Sequence, residues 1–403
     1  MPNYTKRSAK NLYTYKKCCN RLPYLCAMQK IGILGGGQLG RMLLQAAANY
    51  PVETFVMEND KDCPAAHLCN HFTEGNIRDF NDVYHFGKHL DALTIEIENV
   101  NIDALEALEK EGKRIYPRPS VLRTICNKVI QKKYYIDNQI PTSEYIITHN
   151  ITELEAHKAF LPAVHKLAEG GYDGRGVQVI RKTDDIAKGY DQTAVLEKMV
   201  EVQKEIAVMI AVGNSGEIAI YPPVQMIFDE KLNQLDFQLC PADLPENVKW
   251  KAEAIALTTV KNFNSPGIFA VEMFATPEGN VLVNETAPRV HNSGHHTIEA
   301  HYSSQFDMLW RIILNYPLGN TEAISSSVMV NIIGAEGHQG NAVYEGLEEV
   351  LKIENAFFHI YGKKQTKPGR KMGHATIISN ERADLLYQAN KIKNTLTVKG
   401  KSE

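Results

Sequence analysis

The stretch GIFAVEMFATPEGNVLVNETA, residues 267–287, carries two carboxylates whose spacing bears on chemistry. Two alternating apolar runs flank Pro277-Glu278-Gly279-Asn280, residue types that favour a tight chain reversal. Pairing Thr276 with Val281 sets Glu272 directly across from Glu285, on one face, with Cβ atoms about 5 Å apart. Two like charges so placed repel unless a cation lies between them. An all-oxygen ligand set favours Mg²⁺, with Mn²⁺ as the alternative. A hairpin with both acids facing water is the plainer option, and the apolar neighbours argue against it. Downstream, NETAPRVHNSGHH (284–296) adds Arg289 and the imidazoles of His291, His295 and His296. An HxxxH pair needs a helix to bring both rings to one metal, and Pro288, Asn292 and Gly294 disfavour helix here.

Glycines concentrate in two further places. EGGYDGRG, 169–176, follows Lys166 at the end of a predicted strand. Such a loop can wrap an anion with backbone N–H groups and brings Tyr172, Asp173 and Arg175 with it, so a lid is expected in place of a plain hairpin turn. GGGQLG, 35–40, satisfies GxGxxG between a strand and a helix, with Glu58 near the end of the second strand. By rule this reads as a dinucleotide fingerprint. Physically it is a helix start whose free N–H groups attract any anion. No GxxxxGK[ST] phosphate loop occurs.

These groups need elements to hold them. Strands at 30–34, 52–57 and 91–97 alternate with helices at 38–49 and 79–89, the pattern of a doubly wound parallel sheet. A helix is predicted over 120–138, stopped by Pro141. From 142 to 292 longer alternating strands, turns at 214–216 and 278–280, and a helix at 246–262 predict an antiparallel α+β domain. Short strands and the loop KKQTKPGRKMGH follow. The expected division is an extension at 1–28, an α/β domain at 29–120, a central domain at 121–322 and a β-rich domain at 323–403. Residues 1–28 are basic and lack both an acidic residue and the apolar core of a secretory signal, and Met28 resembles a natural start.

Bulk properties exclude several classes. In 403 residues the net charge is −3, which gives no global electrostatic case for nucleic acid or membrane binding. Seven scattered cysteines without a CxxC pair argue for reduced thiols in a cytoplasmic protein. No apolar run approaches the roughly 18–20 residues that span a bilayer.

GGGQLGRM, GGYDGRG, VEMF with NETAPRVHNSGHHT, and KPGRKMGH together resemble the ATP-grasp superfamily. Within it they are similar to the N5-carboxyaminoimidazole ribonucleotide synthetase family, from Met28 to about residue 395. The resemblance implies an ATP-grasp fold, α/β and α+β. It also implies an ATP-dependent ligase that joins bicarbonate to 5-aminoimidazole ribonucleotide in purine biosynthesis, with homodimers usual. Lys128 is then implied at ATP and Lys166 at its phosphates, with Gly171, Tyr172, Asp173, Gly174, Arg175, Gly176 and Val177 closing over them. Glu197, Lys198, Met199 and Val200 are implied at adenine and Glu205 at the ribose. Glu272 and Glu285, with Asn284 beside them, are implied at Mg²⁺. Tyr172, Arg289 and His291 are implied around bicarbonate. Gln38, Glu98, Asn292, Asp173 and Lys371 are implied around the ribonucleotide, with Lys363 and Arg370 at its phosphate. Lys128 stands where many relatives have Arg, and Phe228 where a nucleotide-contacting His is common. The alternatives are a formate-dependent glycinamide ribonucleotide transformylase, an NAD-dependent oxidoreductase and a non-catalytic nucleotide binder.

Overall fold

Strands Gln29–Leu34, Val52–Glu58, His71–Glu74, Ala92–Ile95 and Arg114–Tyr116 form a five-stranded sheet with every pairing parallel. Gln29–Leu34 lies at its centre, flanked by Val52–Glu58 and Ala92–Ile95. The computed structural model describes residues 28–171, 176–229 and 234–401. Tyr172, Asp173, Gly174 and Arg175 of the expected lid therefore lie outside the described residues, as do residues 1–27. His71–Glu74 was not predicted: at the sheet edge none of its residues is buried, so it has no apolar run to read. Helix Gln38–Ala47 buries Leu39, Met42 and Leu43 against Phe306 and Trp310 of helix Gln305–Ile313. Trp310 Nε1 donates to the Leu43 carbonyl at 2.7 Å, tying the two helices together.

The helix expected over 120–138 is two helices, Pro119–Ile125 and Lys128–Asp137. Asn127 interrupts it in an extended conformation, and its Oδ1 accepts from the N–H groups of Val129 and Ile130. This is an N-cap, which satisfies donors that a helix start leaves open. The restart places Lys128 and Lys132 four residues apart, on one face.

A four-stranded antiparallel sheet follows, in the order Tyr145–Thr148, Ala194–Lys198, Ala163–Leu167, Val177–Ile180. Val164 faces Glu197 and Lys166 faces Val195, so Lys166 and Glu197 share a face. Opposite it stands a nine-stranded antiparallel sheet. Its path runs from Val281–Ala287 through Gly267–Ala275, Lys204–Val212, Val224–Asp229 and Gln234–Cys240. It then continues into Ser327–Ile333, Lys371–Ile378 and Ala356–Ile360, so the C-terminal strands extend the central sheet, and the ninth strand, Ile218–Ile220, pairs with Lys204–Val212 off this path. Helix Glu246–Lys261 covers its other face with Val248, Ala252, Ala256 and Val260.

Candidate active site

The hairpin brings Glu272 opposite Glu285, as expected, but by a different register. Ala275, not Thr276, pairs with Val281, and Met273 pairs with Val283. A β-bulge then absorbs Asn284, so that Glu285 meets Glu272. A bulge lets two consecutive side chains face one way. Asn284 Oδ1 accepts from Lys166 Nζ at 2.8 Å, while Glu285 Oε2 accepts from Lys128 Nζ at 3.2 Å. On the next strand Ala207 faces Glu272 and Glu205 faces Phe274, which puts Glu205 on the same side.

Burial raises the Glu272 carboxyl to about 8, and the negative charges of Glu285 and Glu205 add to the rise. Glu285 moves the other way, held low chiefly by the Lys128 ammonium. A buried carboxylate pushed toward its neutral form by two neighbouring acids is the environment that a divalent cation relieves. The residues therefore fit Mg²⁺ in oxygen ligation by Glu272 and Glu285. Burial alone would raise Glu197, but Lys166 and Lys132 beside it and the Ser143 hydroxyl hold it at about 2. Its side chain is thus committed to lysines, and its strand is paired on both sides, to Tyr145 and to Val164. The N–H groups of Lys198 and Met199 donate to Glu144 and Pro162 carbonyls.

Beyond the carboxylates, His291 Nε2 lies 3.5 Å from Glu272 Oε1 and its Nδ1 is 2.9 Å from Ser293 Oγ. Arg289 Nε lies 2.9 Å from Glu98 Oε1. Asn292 is 8% exposed, yet neither end of its amide has a partner among the described residues. Such a group normally finds water or ligand. Lys363 Nζ donates to the Lys371 carbonyl at 2.7 Å, and Arg370 Nη1 to that of Gln365 at 2.8 Å. Gly176 carries a left-handed φ of 73° and its carbonyl accepts from Leu167 N–H, closing the lid's base before Val177. Gln38 opens the helix after the glycine turn.

That turn is filled by the chain itself. Gly36 N–H donates to Glu58 Oε2 at 3.1 Å, and Gly37 N–H donates to Glu96. A Cβ at Gly37 would collide with the Glu96 carboxylate. The donors that a pyrophosphate needs are taken, and Glu58 is spent on the loop. The dinucleotide reading of GGGQLG fails here. Glu96, which the sequence reading passed over, is raised to about 7 by burial, with Glu58 adding to the rise while the Gly37 N–H, Arg289 and Lys363 lower it.

His295 and His296 are each 1% exposed and pack against other rings: His295 against Phe306 and His374, His296 against His301. Cys240, His296 and His301 do bring ligand-type atoms within 4.8 Å of one another. Gln238 Nε2 donates to Ser293 O and lies 2.8 Å from His296 Nδ1. That leaves Nδ1 the acceptor and the proton on Nε2, the atom a metal would need.

Three family models match the chain: a ribonucleotide synthetase preATP-grasp domain over 28–126, an ATP-grasp domain over 133–306, and a phosphoribosylaminoimidazole carboxylase C-terminal domain over 327–388. The N5-carboxyaminoimidazole ribonucleotide synthase of Synechococcus elongatus is 33% identical over 358 residues, 87% of this chain and 89% of that one. The phosphoribosylaminoimidazole carboxylase of Vigna aconitifolia is 35% identical over 87% of this chain, which spans 64% of that relative's length. Among solved structures, the N5-carboxyaminoimidazole ribonucleotide synthetase of Thermotoga maritima superposes with a TM-score of 0.85 at 37% identity, covering 93% of this chain and 100% of that one. The Aspergillus clavatus synthase, solved with ADP and 5-aminoimidazole ribonucleotide, gives 0.83 at 30%, covering 91% and 98%.

Proposed function

The chain belongs to the family of N5-carboxyaminoimidazole ribonucleotide synthetases, and we propose that it carboxylates 5-aminoimidazole ribonucleotide with bicarbonate at the expense of ATP. The observation that carries this is the Glu272–Glu285 pair, with Lys128 and Lys166 bound to Glu285 and Asn284, and with His291 beside Glu272 and Arg289 paired to Glu98. The first group suits nucleotide phosphates and the second a small anion.

Bicarbonate is a poor electrophile. An oxygen of bicarbonate attacks the γ-phosphorus, the β–γ bridge bond breaks, and ADP leaves with carboxyphosphate formed. The exocyclic amine then bonds to the carboxyl carbon, phosphate departs, and the amine loses a proton. Glu272 and Glu285 would hold Mg²⁺, which would supply charge neutralisation at the phosphates. Lys166 and Lys128 stabilise negative charge on the transferring group, and Arg289 orients the carboxylate oxygens. Asp173 takes the amine proton and Tyr172 borders bicarbonate in this scheme. Gln38, Glu98, Asn292 and Lys371 face the ribonucleotide, with Lys363 and Arg370 at its phosphate. The division into 29–120, 121–322 and 323–403, a homodimeric form and a cytoplasmic setting belong to the same proposal, supported by the family resemblance. No helix among the described residues is long and apolar enough to cross a membrane.

The test is ADP release with Mg-ATP, bicarbonate and 5-aminoimidazole ribonucleotide, omitting each in turn. Release should need all of them. Release independent of both small substrates, or supported by formate in place of bicarbonate, overturns the reading.

A further inference from the structure

Lys132 is 1% exposed and takes no part in the contacts proposed above. Removing an ammonium from water costs several kcal/mol unless its surroundings compensate. Here they do: Lys132 Nζ donates to Glu197 Oε2 at 3.0 Å, Thr142 Oγ1 at 2.6 Å and Ser143 Oγ at 3.2 Å. One acceptor is available for each of its N–H bonds.

The other Glu197 oxygen, Oε1, lies 3.1 Å from Lys166 Nζ, and that same ammonium donates to Asn284 Oδ1. Glu197 is therefore shared between two lysines, one deep and one at the site. Two ammonium groups and one carboxylate leave one net positive charge. Without Lys132 the remaining pair is neutral, and Lys166 is drawn to Glu197 with its field cancelled where a phosphate would sit. Low dielectric makes that loss larger than it would be in water. Apolar packing could join helix Lys128–Asp137 to strand Ala194–Lys198 equally well, so the charge itself needs a reason.

We propose that Lys132 is a positioning residue for Lys166: by engaging Glu197 from behind, it leaves the Lys166 charge available to a nucleotide phosphate. The proposal rests on the ATP reading of the site. It assigns Lys132 no contact with substrate.

The experiment is calorimetric titration of Mg-ATP into the full chain, unaltered and as Lys132→Met, Lys166→Met and the double variant, with steady-state kinetics alongside. Lys132→Met should weaken ATP binding about tenfold, the scale of one charge-assisted hydrogen bond. The ATP KM should rise while kcat at saturating ATP changes less than about twofold. In the Lys166→Met background the same substitution should add nothing, because the effect passes through Lys166. An unchanged ATP Kd, or an equal loss in both backgrounds, overturns the proposal. If circular dichroism finds Lys132→Met unfolded, Lys132→Gln keeps hydrogen bonding without the charge and carries the same expectations. Failure of both to fold makes Lys132 purely structural and likewise overturns it. An unaltered chain that binds no ATP refutes the parent reading instead.

Discussion

Glu272 and Glu285 face each other because Asn284 bulges out of the hairpin register between them and the turn. The pair is a liability in the metal-free protein, since burial and the facing Glu285 charge force Glu272 toward its neutral form, a cost the unfolded chain does not bear. Glu272→Gln should therefore raise the metal-free unfolding temperature slightly, equivalent to about 1 kcal/mol. It should also abolish the upward shift that Mg²⁺ with ATP gives the unaltered protein. Thermal unfolding with and without Mg-ATP reads both effects; a full shift retained in the variant would remove Glu272 from the ligand set.

Glu285 differs from its partner. Its side chain is 46% exposed against 13% for Glu272, and Lys128 keeps it ionised. Glu285→Gln should leave the fold intact and lower turnover by a factor on the order of 10³, the scale of losing charge stabilisation at a transferring group. Near-normal turnover in a folded variant would refute the assignment.

The bulge separates two roles. Deleting Asn284 restores a regular ladder in which Glu285 still falls opposite Glu272, because Met273 already pairs with Val283. What is lost is the oxygen that accepts from Lys166. The deletion variant should keep the Mg-dependent shift yet lose activity by roughly 10²-fold through a misplaced Lys166. Loss of the Mg-dependent shift as well would mean the bulge sets the carboxylate geometry itself.

The same bulge marks the limit of what the sequence discloses. Residue types around 277–280 specify a reversal, and pairing Thr276 with Val281 sets the acids opposite; the observed register starts from Ala275 instead and regains that facing only through the bulge, so the pair was legible. The one-residue irregularity was not, because Asn284 differs from a regular strand residue only through its distant partner Lys166. The parallel strands at 29–34, 52–58 and 92–95 had apolar runs to read, while His71–Glu74 and the three-residue strand Arg114–Tyr116 did not. Glu96 and Lys132 were missed for a related reason. Glu96 directly follows strand Ala92–Ile95 and Lys132 lies within a helix, and the meaning of each comes from a neighbour dozens of residues away, Gly37 for one and Glu197 for the other.

Glu197 gives a pH signature. Its ordinary carboxyl value is 4.5 and in the fold it stands at about 2. A depressed folded value means stability that is present above 4.5 and lost as pH falls from there through about 2. Glu197→Gln should cost about 3–5 kcal/mol at neutral pH, as for a broken buried pair. The gap between variant and unaltered protein should narrow steadily below pH 4.5. Urea midpoints at pH 7, 4.5 and 3 measure it, and a gap constant across that window would show that Glu197 is not the titrating group.

The glycine turn offers a test that separates fold from ligand. In a dinucleotide site, alanine at the second glycine of the motif blocks the approach of a pyrophosphate and leaves the empty protein largely unharmed. Here the space is occupied by Glu96, whose carboxylate accepts from Gly37 N–H and would meet an added Cβ at once. Gly37→Ala should therefore destabilise the ligand-free chain by about 1–3 kcal/mol, the usual cost of overpacking. Glu96 is 8% exposed and its carboxylate is engaged by the Gly37 N–H, so it has little freedom to retreat. Chemical unfolding of the ligand-free protein is the measurement. An unaltered midpoint, or NAD binding by the native chain, would mean that the turn is open and its N–H groups are free to take an anion.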